Sequence, residues 1–151
     1  MASENDLIKL YSSRILALAT ELPAPSRLEA PDATVKKRSP LCGSAVTVDV
    51  TIQDGKVKNF AQDVKACALG QAAASIVGKA VIGRDLDELQ TTRDALQTML
   101  KSGGPAPKAP FEEMEVLRPA QDFKNRHASI LLSIEAVTEA MQKAKQEKDC
   151  A

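Results

Sequence analysis

Three side chains in this chain have the chemistry of soft-metal ligands or nucleophiles. They are Cys42 in Pro40-Leu41-Cys42-Gly43-Ser44, Cys67 in Ala66-Cys67-Ala68-Leu69-Gly70, and His127, the one histidine. A thiolate and a neutral imidazole together suit a soft or borderline metal ion. Cys67 follows a strand pattern and starts a helical one, where unpaired amide groups and the positive end of the helix dipole favour the thiolate. His127 opens the last helical pattern, where the same dipole disfavours imidazolium and keeps a lone pair available. Cys42 lies between a proline and a glycine in a loop, which leaves its side chain exposed. The spacing matches no compact zinc signature such as paired CxxC. Two plainer readings therefore stand beside the metal site: a free cysteine as core filler, and a lone histidine as a cap or surface group. Cys150, next to the last residue, reads as an accident of the tail. The Gly78-Lys79 pair lacks the spacing and the hydroxyl residue of a phosphate loop and reads as a helix end.

The elements that must position these groups are legible from periodicity. Residues 5–21 carry a helical stripe (Leu7, Leu10, Ile15, Leu16, Leu18) stopped by Pro23 and Pro25. Residues 28–39 hold a short edge strand with the basic run Lys36-Lys37-Arg38, read as charge that discourages edge pairing, with docking of an acidic partner face as the alternative. From Ala45 to Gln53, Val46, Val48, Val50 and Ile52 alternate with Thr47, Asp49 and Thr51; Asp54-Gly55 turns the chain and residues 56–64 return, which is a hairpin. Residues 67–79, rich in alanine, form a helix packed closely on the sheet. Asp85 and Glu88 form a capping box for a helix ending near Leu100, and a Gly/Pro-rich loop follows over 103–110. A short apolar piece spans 111–117. The final helix starts near His127 with Ile130, Ile134, Val137 and Met141 on one stripe, and its charged end over 143–148 is expected to fray. The sum is an α+β class: a small antiparallel sheet of about three strands with several helices on one face, in one domain over residues 1–151.

Composition narrows the functions open to this arrangement. The chain has 151 residues, 44% of them hydrophobic, but aromatics are only 3% and Trp is absent, so bases have little to stack on. Lys plus Arg equals Asp plus Glu at 20 each, which leaves no long-range field toward phosphates or anionic lipid. Nucleic acid and membranes are therefore not expected as partners. No signal-peptide order and no apolar run of membrane-spanning length is present, and three cysteines are an odd count, so a cytoplasmic protein with reduced thiols is expected.

The order of motifs adds a resemblance. A Leu10-Tyr11 helix, Ser39-Pro40-Leu41-Cys42-Gly43, the hairpin, Phe60, Cys67 followed by Ala73-Ala74-Ser75, and Arg126-His127-Ala128-Ser129-Ile130-Leu131 together resemble the U-type iron-sulfur cluster assembly scaffolds, the family of IscU, SufU and the NifU N-terminal domain. The resemblance runs from about Asp6 to Met141, and the Gly/Pro-rich stretch after Leu100 is similar to the SufU branch. It implies a non-enzymatic scaffold that holds iron, zinc or a [2Fe-2S] cluster through Cys42, Cys67 and His127. It also implies sulfur from a cysteine desulfurase, recipient apo-proteins as further partners, and a monomer or cluster-bridged homodimer. The segment from Pro119 to Arg126 lacks the Leu-Pro-Pro-Val-Lys run by which IscU-like members recruit an Hsp70-type chaperone, so that partner is not implied. Two positions depart from the family: Ser44 stands where Asp is usual and Ala128 where a third cysteine is usual. A hydroxyl binds soft metals poorly and a methyl not at all. Three ligands hold zinc with an open fourth position but leave a cluster one ligand short. A partner thiol, a small thiol, Cys150 or a second copy could complete the set, and Cys42 is the expected persulfide acceptor. The competing expectations are a degenerate paralogue that docks on the desulfurase or a sister scaffold as a regulator, and an unrelated enzyme using Cys42 or Cys67 as nucleophile, for which no oriented base beyond His127 is present.

Overall fold

The structure is a computed structural model and describes residues 11–40 and 43–149. In chain order its elements are α1 (Ser13–Glu21), β1 (Ala33–Arg38), β2 (Ala45–Gln53), β3 (Lys56–Lys65), α2 (Ala68–Ala80), α3 (Leu86–Ser102), two 3-10 segments (Glu112–Asp122 and Lys124–Arg126) and α4 (His127–Asp149). The three strands form one antiparallel sheet in the order β1-β2-β3, so the expected α+β class and strand number are correct.

The hairpin turns on Asp54 and Gly55, both at positive φ (55° and 76°), the geometry that matches the right-handed twist of two-residue hairpins. Its register pairs Val46 with Val64, Val48 with Gln62 and Val50 with Phe60. The face carrying Val46, Val48, Val50 and Ile52 is buried under α4, which lies across β2 and β1. At the edge, Lys37 turns toward α4 and pairs with Glu139 at 3.0 Å, while Lys36 and Arg38 stay exposed.

The opposite face is not simply solvated. Residues 22–32 cross it, tied by the Asp32 amide to the Val50 carbonyl (2.8 Å) and the Ser26 amide to the Gln62 carbonyl (3.2 Å). Asp49, expected among the polar, outward residues of β2, is fully buried there (0% exposed). It accepts hydrogen bonds from the Arg27 guanidinium (2.6 and 3.2 Å), the Leu28 amide (3.0 Å) and the Thr34 hydroxyl.

Three boundaries differ from expectation, each for a local reason. Ser12 accepts from the Ile15 amide (3.3 Å) and caps α1, which runs from Ser13, so the helix expected over residues 5–21 is not continuous through Ser12; its residues 5–10 lie outside the described residues. The piece after Phe111 is a long 3-10 segment whose buried residues Phe111, Met114, Leu117 and Ala120 recur every third position, the period of that helix. The charged end of α4 does not fray; the helix continues to Asp149, with Ala144 fully buried as its last apolar anchor. The capping box is as expected, with the Glu88 amide on Asp85 (2.8 Å) and the Asp85 amide on Glu88 (3.3 Å), and Gly103 closes α3 in the left-handed conformation (φ 73°).

Candidate functional site

Cys67 occupies the N-cap of α2, the position foreseen for it, and is a free, half-buried thiol. Its side chain makes no capping hydrogen bond of ordinary geometry, so the sulfur remains available for other partners. Ser129, in the first turn of α4, brings its hydroxyl to 3.6 Å from the sulfur. Ser129 in turn meets the Ser44 hydroxyl at 2.9 Å, and both serines are buried. Each hydroxyl has a single proton. For Ser129 to donate to a Cys67 thiolate, Ser44 must donate to Ser129, which aligns the pair toward the sulfur.

Burial pushes the Cys67 thiol up. The Gly70 amide, the Ser129 hydroxyl, the Leu69 amide and the Arg126 charge together outweigh it, and the thiol ends below its ordinary range. Close approach of the two helices makes this possible. A Cβ on Gly70 would fall 2.6 Å from the Ser129 hydroxyl and 2.7 Å from the Ala66 Cβ, so only glycine lets the start of α2 reach the start of α4. Replacing Ser129 with alanine removes a donor to the anion, so the sign is upward: the pH midpoint for alkylation of Cys67 by iodoacetamide, followed by peptide mapping, is expected to rise. The rate at neutral pH should fall about three- to tenfold. Ser44→Ala should move the midpoint less, in the same direction; an unmoved midpoint in both would show that the serines do not act on the sulfur.

His127 is the first residue of α4, as expected. Its Nε2 lies 2.8 Å from the Ala120 carbonyl, an acceptor only, so Nε2 carries a proton and Nδ1 is the ring nitrogen left for another partner. His127 and Ala128 share a cavity of about 590 Å³ with Lys101, Lys124, Leu131 and Glu135. Cys42 and Cys150 lie outside the described residues. On either side of Cys42 the described residues are tied together, with the Ser39 amide on the Ser44 carbonyl (2.8 Å) and the Gly43 amide on the Ser39 carbonyl (3.0 Å). Among the described residues no three His, Cys, Asp or Glu side chains gather into a metal-holding group. The structure thus links Cys67 to Ser129 and Ser44, a connection that ligand-seeking reasoning passed over because serine is a poor ligand. Only the seryl positions themselves, Ser44 beside Gly43 and Ser129 beside Ala128, were visible as a signal.

Among the described residues no helix is long and apolar enough to cross a membrane. Residues 11–151 match the family described as NifU-like N terminal domain. The chain is similar to the iron-sulfur cluster assembly scaffold protein IscU of Thermotoga maritima, 24% identical over 136 residues covering 89% of this chain and 94% of that protein. The Streptococcus pyogenes serotype M1 protein of the same description is 24% identical over 110 residues, 73% of this chain and 69% of that protein. In three dimensions the chain is similar to a nitrogen-fixing NifU-like protein (N-terminal) from Brucella abortus. The TM-score is 0.91 at 43% identity, over 94% of this chain and 99% of that one. A putative iron-sulfur cluster assembly scaffold protein for the SUF system from Fervidobacterium islandicum AW-1 shares the fold, with a TM-score of 0.79 at 16% identity, over 89% of this chain and 98% of that one.

Proposed function

The chain belongs to the NifU-like N-terminal domain family, a family of iron-sulfur cluster assembly scaffolds, and from that premise we propose that it is a non-enzymatic scaffold or carrier, one domain over residues 1–151, whose cargo is iron, zinc or a [2Fe-2S] cluster held by Cys42, Cys67 and His127. The observation that carries the reading is Cys67 itself. Its sulfur is stabilised as a thiolate by two backbone amides and the Ser129 hydroxyl, yet it is bound to no other sulfur and makes no cap. The thiolate is the form that binds metal or accepts sulfur. His127, with Nε2 fixed on Ala120 and Nδ1 open, has the preparation typical of a metal-binding imidazole. In this reading a cysteine desulfurase supplies sulfur, recipient apo-proteins take the cargo, the chain acts as a monomer or cluster-bridged homodimer, and the compartment is the cytoplasm.

The second reading, a degenerate paralogue that docks without holding a cluster, is favoured by one observation. At the two departing positions the chain offers a methyl at Ala128 and, at Ser44, a hydroxyl already engaged by Ser129. The test is reconstitution without oxygen: apo-protein, ferrous iron, zinc, cysteine, a thiol reductant and a cysteine desulfurase, followed by assay of iron, zinc and acid-labile sulfide in the repurified protein and of its binding to the desulfurase. Iron and sulfide in near-equal, stoichiometric amounts support the scaffold. Zinc alone indicates a thiol site capped by metal. Neither, with partner binding retained, transfers the function to the docking module.

A further inference from the structure

Where the edge strand β3 passes α2 and the segment after α1, the structure encloses a cavity of about 210 Å³. Phe60 and Gln62 line it from β3, Ser75, Gly78 and Lys79 from α2, and Glu21 from the end of α1. None of these residues belongs to the Ser44–Ser129–Cys67 line. The buried end of the cavity holds hydrogen-bond donors with nothing to donate to. Ser75 is 2% exposed and its hydroxyl has no partner, although a helical serine commonly satisfies its hydroxyl on the carbonyl one turn back. Gln62 is 8% exposed and fixed at both atoms of its amide: Nε2 donates to the Ala74 carbonyl (3.0 Å) and Oε1 accepts from the Ser133 hydroxyl (2.9 Å). A primary amide has two protons, and no hydrogen bond among the described residues takes the second. Gly78 keeps this end open, because a Cβ there would fall 3.2 Å from Gln62 Nε2 and 3.9 Å from the Phe60 ring. At the mouth, Lys79 stands one turn beyond Ser75 on the same face of α2 and pairs with Glu21, which leaves two of its ammonium protons for other acceptors.

We propose that this cavity binds a small aliphatic monocarboxylate. The unspent groups at Ser75, Gln62 and Lys79 are donors, which calls for a ligand of acceptors, and the ammonium among them favours an anion. Glu21, the carboxylate at the mouth, is compensated by Lys79 and by Arg14 at 4.0 Å. With their Cβ atoms about 5–6 Å apart, Ser75 and Lys79 suit the two oxygens of one carboxylate. Size selects the rest of the ligand. A protein cavity of about 150 Å³ accommodates benzene, so one of about 210 Å³ has room for roughly six to eight heavy atoms, a carboxylate with about three to five chain carbons. The chain lies against Phe60 and Pro23, which supply apolar wall beside the donors. Occupancy joins α2, β3 and the segment after α1, so the ligand should raise the melting temperature by mass action.

The test is titration of butyrate into the full chain, followed by NMR of backbone and side-chain amides. Saturable shifts are expected at Gln62, Ser75, Gly78 and Lys79, with the Gln62 side-chain amide moving downfield as its second proton gains an acceptor. Butyramide and inorganic phosphate are expected to bind at least about tenfold more weakly. Ser75→Ala should lose about five- to tenfold in affinity, and Gly78→Ala, which places a methyl in the cavity, about tenfold or more. Neither variant should melt earlier than the wild type. Ser75→Ala removes a hydroxyl that has no partner, and the helix preference gained in Gly78→Ala offsets the close contact with Gln62. Absence of saturable shifts at these residues overturns the site. Equal affinity for butyramide or for phosphate overturns the carboxylate, and affinity unchanged in both variants places the ligand elsewhere and overturns the cavity as its seat.

Discussion

Replacing Cys67 with alanine is expected to eliminate stoichiometric metal from the protein while leaving it folded. Of the proposed ligands it is the one whose sulfur faces two helix starts, with the Gly70 and Leu69 amides of α2 favouring its anion on one side and the Ser129 hydroxyl 3.6 Å away on the other. Loss of a group that only orients a ligand typically costs ten- to a hundredfold in metal affinity, so loss of the ligand should exceed about a hundredfold. The fold has less at stake. The Cys67 side chain makes no N-cap hydrogen bond of ordinary geometry, so α2 loses only its weaker attraction to the Leu69 and Gly70 amides in the variant, and the sulfur is only partly buried against the core. Metal analysis of protein purified without oxygen, with thermal unfolding alongside, checks both halves. Metal retained at wild-type stoichiometry would exclude Cys67 as a ligand, and metal lost together with the fold would make the cysteine a structural residue.

How much of this was legible in the sequence depends on which period and which chemistry each residue follows. The β2–β3 hairpin was readable because Asp54-Gly55 supplies two positive φ values and the valines alternate without interruption. The start of α2 at Cys67 and the capping box at Asp85 were readable because caps are short-range. The 3-10 segment from Glu112 to Asp122 was missed because its buried residues repeat every third position, which neither a helical stripe nor an alternating strand would match. Alternation alone places Asp49 on a polar face, because its neighbours Thr47 and Thr51 are polar and nothing local announces that residues 22–32 fold back over that face. In the candidate site, Cys67 and His127 were identifiable by residue type and by their positions at helix starts. The Ser44–Ser129–Cys67 line was not: it joins three loops and helix ends across 85 residues of sequence, and each link is a hydroxyl whose role is visible only once distances are known.

Asp49→Ala is expected to be the most destabilising single change in the sheet, at about 2–4 kcal/mol, because it leaves several partners without an acceptor at once. The carboxylate is fully buried, whereas its charged partner Arg27 is more than half exposed, with 56% of its side chain accessible. Much of the attraction to Arg27 is therefore screened, and the larger loss lies with the donors held beside the carboxylate, the Leu28 amide and the Thr34 hydroxyl. Arg27→Ala should accordingly cost less than Asp49→Ala. The pH dependence has a definite sign. Burial pushes the Asp49 carboxyl up, but the Arg27 and Thr34 hydrogen bonds, the Leu28 amide and the Arg27 charge outweigh it and hold it below the usual carboxylate range. A carboxyl with a depressed folded-state value contributes stability that is complete above its unfolded value and disappears as pH falls through the folded one. The stability gap between the wild type and Asp49→Asn should therefore be full at neutral pH and close as the solution is acidified below the ordinary carboxylate range, which urea unfolding at a series of pH values would measure. A gap independent of pH would mean that the side chain's shape and not its charge secures residues 22–32 to the sheet. Asp49 lies on the sheet face away from α4, whereas Ser129 stands in the first turn of that helix. Metal content of folded Asp49→Asn protein should therefore match the wild type, which separates the loss of stability from any loss at Cys67.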